Sequence, residues 1–209
     1  MDGNIPKTGR DSRRQAILQV AREAFLAEGY AAVSMSAIAA TLGGSKATLY
    51  AYFRSKAELF AAVMEDLRER NSEALFENGF EEPASADASL RRLGRRFLRL
   101  ILSEDMLTIH RLAAAESIRF PEVGQALYAA GPKKGVVKMA AYLEGHMAAG
   151  RLKQVDPVIA AQQLISMCMG ELYRRRLWNV GPAPTEAEMD AVVDAAVDTF
   201  MAAFGAPQA

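Results

Sequence analysis

Apolar positions recur every three or four residues along most of the chain. Alternating runs of β-branched residues of the kind a strand requires are not seen, so the pattern predicts an all-α protein. Two of the predicted helices are short and adjacent. In the first, Met35, Ile38, Ala39 and Leu42 share one apolar face behind Ser34, whose hydroxyl suits a helix N-cap. Ala39 is small enough for a close helix crossing. Gly43 ends this helix, because glycine enters the left-handed conformation at little cost. Ser45 then caps a second helix beginning at Lys46, which points Leu49 and Phe53 inward and leaves Lys46, Thr48, Tyr50 and Tyr52 outside. Ser55 opens a third helix, and Lys56 near its start adds a cation to the positive end of the backbone dipole, which favours a phosphate there. Two short helices joined by a glycine turn are the sequence form of a helix-turn-helix. Outward donors, acceptors and flat rings suit phosphates and base edges in a major groove.

The third helix is predicted to run from 56 to about 78, with Leu59, Phe60, Val63, Leu67 and Leu75 on its apolar side. Glycine and proline then punctuate the chain at Gly79, Pro83, Pro121, Gly131, Pro132, Gly150, Pro157, Gly181, Pro182 and Pro184. The intervals predict helices over 85–102, 104–119, 122–130, 133–149, 157–179 and 185–204. Residues 1–10, with Pro6 and two glycines, read as a flexible arm of the kind that can lie along DNA. The division expected is a reading domain over 1–56 and a second helical domain over 57–209.

Charge sharpens this picture more than composition does. The 209 residues are 51% hydrophobic and 24% charged, enough for a sizeable core in one or two domains. The formal net charge is zero, which at first argues against a polyanionic partner, but DNA responds to local charge. Lys7, Arg10, Arg13, Arg14, Arg22, Lys46, Arg54 and Lys56 outnumber the acids up to the end of the motif, and acids accumulate after it from Glu58 onward. The single cysteine, Cys168, excludes an intramolecular disulfide. No segment has the form of a secretion signal or reaches the roughly 18 apolar residues of a membrane helix, so a cytoplasmic protein with no membrane partner is expected.

From Arg13, the run R-R-Q-A-I-L-Q-V-A-R-E-A-F-L-A-E-G-Y, then the helix-turn-helix segment, then K-A-E-L-F-A-A-V, resembles the N-terminal domain of the TetR family of bacterial transcriptional repressors. That family's pattern is I-A-x-x-x-G-V-S-x-G-T-L-Y-x-Y-F-x-S-K-x-x-L after a helix ending in Gly-Tyr or Gly-Phe. The matching residues are Gly29, Tyr30, Ile38, Ala39, Gly43, Ser45, Thr48, Leu49, Tyr50, Tyr52, Phe53, Ser55, Lys56 and Leu59. Two positions depart from it. Gly44 stands where valine is usual, so an apolar plug is missing and a looser turn is expected; Ala47 replaces a glycine at the front of the recognition helix. The resemblance implies a double-stranded DNA operator as partner, met by Ser34, Ser36, Ser45, Lys46, Ala47, Thr48, Tyr50, Tyr52 and Lys56. In this scheme Thr48, Tyr50, Tyr52 and Lys56 hold phosphates, and Lys46 and Ala47 sense bases.

The second half resembles the effector-binding and dimerisation domain of the same family, and its stretch from Phe120 is similar to one in a subgroup linked to efflux control. The last helix carries a broad apolar face, from which Val193, Val197, Phe200, Met201 and Phe204 are assigned to a homodimer interface; covering its own core is the alternative. Phe97, Ile101, Met106, His110, Tyr128, Tyr142, Met167 and Glu171 are assigned to a small apolar or amphipathic effector, with Tyr173 and Trp178 also in these segments. Arg92, Arg95, Arg96 and Arg99 form a stripe read as a solvated face, the alternative being an anionic effector or acids of another helix. Only His110 and His146 are available, no cluster has metal spacing, and Gly43-Gly44-Ser45-Lys46 lacks the separation of a phosphate loop, so no enzyme, cofactor or metal is expected. The sequence thus points to a ligand-released homodimeric repressor. An activator of the same fold and a helical small-molecule binder without DNA binding are the alternatives.

Overall fold

A computed structural model describes residues 9–76 and 85–206. The arm expected at 1–10 therefore lies outside the described residues up to position 8, as does the end of the helix expected near 78. The chain is all-α: α1 (Gly9–Ala32), α2 (Met35–Thr41), α3 (Lys46–Tyr52), α4 (Lys56–Phe76), α5 (Ala86–Ile101), α6 (Glu104–Glu116), α7 (Pro121–Tyr128), α8 (Lys134–Ala148), α9 (Pro157–Leu177) and α10 (Glu186–Phe204). Among the described residues extended pairing is limited to one isolated bridge, Leu152 with Gly205. None of their helices is long and apolar enough to cross a membrane.

Two compact units form, one from Met1–Arg68 with Leu112–Ala130 and one from Glu69–Arg111 with Gly131–Ala209. This departs from the division at 56 expected from the motif. The first turns of α4 bury Leu59, Phe60, Val63 and Leu67 and are counted with the first unit, as are α7 and the end of α6. Phe25, Tyr30 and Phe60 form the centre of that unit, each ring within 5.1 to 5.8 Å of the other two.

In the second unit α8 packs on α9, and α10 packs on both α5 and α9. Leu90, Leu98, Leu143, Leu164, Cys168, Val193, Val197 and Phe200 fill the space between them. Burying a side chain of this size contributes about 1.5–3 kcal/mol. One break expected from composition takes another form, and one kink was not expected. Gly131 and Pro132 lie in a π-helical turn, Ala129–Lys133, that leads directly into α8. In α9, expected as one uninterrupted helix, Gly170 sits at φ 47° and ψ −147° and kinks it.

The homodimer assignment on α10 needs correction. Val193, Val197 and Phe200 are each 0% exposed in the single chain, and Met201 and Phe204 pack partly buried against the same core. The broad apolar face of α10 is spent on its own fold, because an amphipathic helix satisfies the nearest core first. Exposed on α10 are Glu186, Ala187, Glu188, Ala191, Ala195, Asp198, Thr199, Ala202 and Ala203, and on α9 Val158, Ile159, Gln162, Gln163, Ser166, Glu171 and Arg174.

The arginine stripe of α5 is likewise not a simple solvated face. Arg91 pairs with Asp87 at 2.8 Å, Asp194 at 3.0 Å and Asp198; Arg95 pairs with Asp190 at 2.7 Å and Asp194 at 2.8 Å; Arg99 pairs with Glu186. Arginines four residues apart on α5 thus meet acids four residues apart on α10, while Arg92 and Arg99 of the stripe stand exposed, Arg99 with its Glu186 partner. Replacing Arg91 with alanine is expected to cost about 1–2 kcal/mol at neutral pH, since partly exposed pairs are worth a fraction of a kcal/mol to one each. The hydrogen bond from Arg91 holds the Asp87 carboxyl below its ordinary value of 3.8. A carboxylate shifted downward stabilises the fold above its ordinary value and loses that contribution as pH falls through the folded one. Urea titrations should accordingly show the gap between wild type and Arg91→Ala closing below pH 3.8; a gap that stays constant to lower pH would show that the ladder contributes nothing electrostatic.

Candidate nucleic-acid interface

The reading segment is built by two capped helices and a turn. Ser34 Oγ accepts from the Ala37 N–H at 3.1 Å and starts α2; Ser45 Oγ accepts from the Thr48 N–H at 3.1 Å and starts α3. Between them Gly43, at φ 63°, lets its own N–H reach Ala40 O at 3.0 Å and the next N–H, that of Gly44, reach Ala39 O at 3.2 Å. This pair of bonds closes a Schellman turn and leaves few carbonyls of α2 unpaired. Met35, Ile38, Ala39, Leu49 and Phe53 are buried behind the two helices. Because Leu49 and Phe53 take the inner side of α3, the outer side carries Lys46, Ala47, Thr48 and Tyr50, all exposed, with Tyr50 at 48%. Ser36 is exposed on α2.

Besides the capping serines Ser34 and Ser45, three of the expected DNA contacts have other occupations. Thr48 Oγ1 lies 3.0 Å from Ser45 Oγ, so these hydroxyls already share a hydrogen bond. Tyr52 is half-buried, with the Arg10 guanidinium 5.9 Å over its ring. Lys56 departs furthest from expectation. Its ammonium donates to Tyr30 O at 2.7 Å and Val33 O at 3.0 Å, lies 3.5 Å from Ala31 O, and sits 4.3 Å from the centre of the Tyr30 ring. An ammonium has three hydrogens, and three carbonyls face it. Lys56 is therefore a cap for the end of α1, and the assignment of this side chain to a phosphate is corrected.

The residues around that cap were invisible to local pattern. Gly29, at φ 83° and ψ 167°, breaks the helical path of α1. The two N–H groups that follow, of Tyr30 and Ala31, donate to the two oxygens of the Glu116 carboxylate at 2.8 and 2.7 Å. A side chain at Gly29 would meet Glu116 Oε1 at 2.8 Å. The Tyr30 hydroxyl donates to Glu122 at 3.0 Å, and the Phe120 ring meets Tyr30 edge-on at 5.3 Å. Burial, reinforced by the Glu122 carboxylate, pushes the Tyr30 hydroxyl well above its ordinary pKa, so it stays a donor. Glu116 lies 86 residues from Tyr30, and no sequence spacing announces it. Arg10, Arg13 and Arg14, which belong to the basic end of the sequence, recur at helical spacing on α1, Arg13 reaching Leu42 O at 3.4 Å and Arg14 lying 5.5 Å over the Phe53 ring.

Of the residues assigned to an effector, the second unit brings His110 and Tyr173 together, Tyr173 Oη lying 2.9 Å from His110 Nδ1. Burial holds the His110 imidazole below its ordinary value of 6.5, and so neutral. Ile101 is buried in the core, and Phe97, Met106, Tyr142 and Met167 pack partly buried against it. Two others turn outward. Glu171 is exposed and paired with Arg174 at 2.8 Å, and Tyr128, counted with the first unit, is 62% exposed. Of the neighbouring arginines, Arg176 is buried and paired with Glu104. Among the described residues no group of three or more His, Cys, Asp or Glu is placed to hold a metal ion.

The two parts of the chain match two family models. Residues 17–63 match the bacterial regulatory proteins of the tetR family, and residues 88–206 match the C-terminal domain of AefR-like transcriptional repressors. Over 56 residues the chain is 46% identical to the HTH-type transcriptional activator FasR of Mycolicibacterium smegmatis, and over 78 residues 32% identical to the HTH-type transcriptional repressor AcnR of Corynebacterium diphtheriae. These alignments take in 27% and 37% of this chain and only 26% and 41% of those relatives. Likeness to solved structures spans the whole length. A TetR-family transcriptional regulator from Mesorhizobium loti is 27% identical with a TM-score of 0.85, covering 95% of this chain and 99% of that one. The flavonoid-responsive regulator FrrA is 33% identical with a TM-score of 0.82, covering 97% and 100%. With a reading head of that family's build and a second helical unit matched along its length, the chain belongs to the TetR family of bacterial transcriptional regulators, which bind DNA and are not enzymes.

Proposed function

We propose that this regulator is a cytoplasmic, homodimeric repressor released from its operator by a flat aromatic effector carrying hydroxyl groups. The observation that carries the DNA half of this reading is the outer side of α3, where Lys46, Ala47, Thr48 and Tyr50 stand exposed on a helix held by buried Leu49 and Phe53. Lys46 and Ala47, in the first turn, sense bases, while Tyr50 binds phosphate. Two heads on one face of the duplex would meet half-sites about 34 to 36 Å apart, which requires a near-palindromic operator. The exposed sides of α9 and α10, with Val158 and Ile159 at 43% and 52% exposure beside the small residues Ala191, Ala195 and Ala202, are the surfaces proposed for the second copy. Repression is favoured over activation because the AefR-like repressor match runs over 88–206, whereas the match to an activator spans only 56 residues.

The effector class draws on two observations. FrrA, matched end to end, is flavonoid-responsive. In this chain the neutral His110–Tyr173 pair offers hydrogen bonding to a hydroxylated ring, and Phe97, Met106 and Met167 of the same unit offer adaptable apolar surface. An effector acts by binding the DNA-free state more tightly, and it shifts occupancy only by that difference. The test begins with selection of bound duplexes from a random pool by the wild-type protein. Lys46→Ala is expected to select a different sequence. A hydroxylated flavone should then lower occupancy of the selected duplex without changing the dimer mass in light scattering. Tighter binding in its presence would favour the activator, and no effect of any flavonoid would remove this effector class.

A further inference from the structure

The turn between α2 and α3 contains a glycine that its backbone does not require. Gly44, unlike Gly43, has no left-handed φ, so an ordinary L-residue fits its backbone. A side chain there would instead displace one from α1: a Cβ at position 44 would lie 2.8 Å from Arg13 Nη2, the movable end of that arginine. The guanidinium occupies the place that a side chain at 44 would take, and Nη2 donates to Leu42 O, the C-cap carbonyl of α2, at 3.4 Å. Gly44 thus leaves room for a cation beside the turn.

That cation is not alone. Arg10, Arg13 and Arg14 fall at i, i+3 and i+4 on α1, and all three lean on the reading segment: Arg10 over Tyr52, Arg13 on the turn, Arg14 over Phe53. Arg13 is half-buried, with Gly43 and Ser45 exposed next to it. A guanidinium has five N–H donors, of which this contact uses one. Lys56, another cation of the motif, is occupied by three carbonyls. We propose that Arg13 is a contact to the DNA backbone at the reading turn, positioned by the absence of a side chain at Gly44.

This proposal rests on the DNA-binding reading and deepens it. The probe is the duplex selected by wild-type protein from a random pool, titrated over a range of salt concentrations against a random-sequence competitor. Each phosphate contact contributes about 0.9 to the slope of log affinity against log salt. Arg13→Ala and Gly44→Val are each expected to reduce that slope by about one and to weaken low-salt binding by roughly three- to tenfold. The double variant should be no weaker than either single one, because both remove the same contact. Arg13→Lys should recover most of the slope. Melting curves establish that the variants fold; Gly44→Ala, whose single added carbon already meets Arg13, replaces the valine variant if that one does not. An unchanged slope in Arg13→Ala would make Arg13 a plug for the turn and no more. Additive losses in the double variant would break the link between Arg13 and Gly44. Wild-type protein that prefers no duplex over competitor would remove the DNA reading itself, and the role of Arg13 with it.

Discussion

Replacing Phe60 with alanine is expected to remove about 3–5 kcal/mol of stability, the usual cost of emptying a buried aromatic site. Phe60 is 1% exposed and meets both Phe25 and Tyr30 edge-to-face, at ring separations of 5.1 and 5.2 Å and interplanar angles of 85° and 77°. Such ring pairs add about 0.5–1.5 kcal/mol to the burial itself. A domain has about 5–15 kcal/mol in total, so the first unit would stand near the edge of folding. Urea denaturation is the direct measurement, and operator binding should weaken in proportion to the unfolded fraction. A loss under about 1.5 kcal/mol would mean that the cluster collapses around the cavity and that Phe60 is not its keystone.

Glu116→Ala comes next, at about 2–3 kcal/mol. Two charge-assisted bonds disappear together, and the Tyr30 N–H, partly buried just past the break at Gly29, is left without its acceptor. The estimate stays below the sum of two full charged bonds because the Ala31 end is exposed to water. Glu116→Gln retains one carbonyl acceptor and should recover roughly half. Amide hydrogen exchange reads the same event locally: the Tyr30 and Ala31 N–H groups should lose protection in Glu116→Ala while the Leu49 amide in α3 keeps its own. Equal loss at all three would indicate that Glu116 acts on the whole unit and not on the end of α1.

These two variants differ in how far they were legible beforehand. Phe60 follows from helical periodicity alone, since a residue on the apolar stripe of a long amphipathic helix has one place to go. Glu116 does not, because a carboxylate on α6 meets the end of α1 only once the chain has folded back across 86 positions. Lys56 lies between these cases. Its position was readable, but its task depended on carbonyls of residues 30 to 33 that no neighbouring sequence reveals. The helix-turn-helix was readable in detail because its determinants are local: serines three residues ahead of the N–H they cap, a glycine where φ turns positive, and apolar residues one turn apart.

The same distinction separates the two units. All-helical architecture, the capped reading helices and membership in a DNA-reading family are carried by short-range pattern and were present in the primary structure. Which side of α10 faces its own core, which acids receive Arg91, Arg95 and Arg99, where Lys56 spends its protons and which side chain lies beside Gly44 were decided by folding. An amphipathic stripe specifies that a face is covered and a charge that it wants a partner, but neither specifies the partner. That choice is made between segments a hundred residues apart, such as Arg91 and Asp194, by whichever side chains the packed core brings within reach.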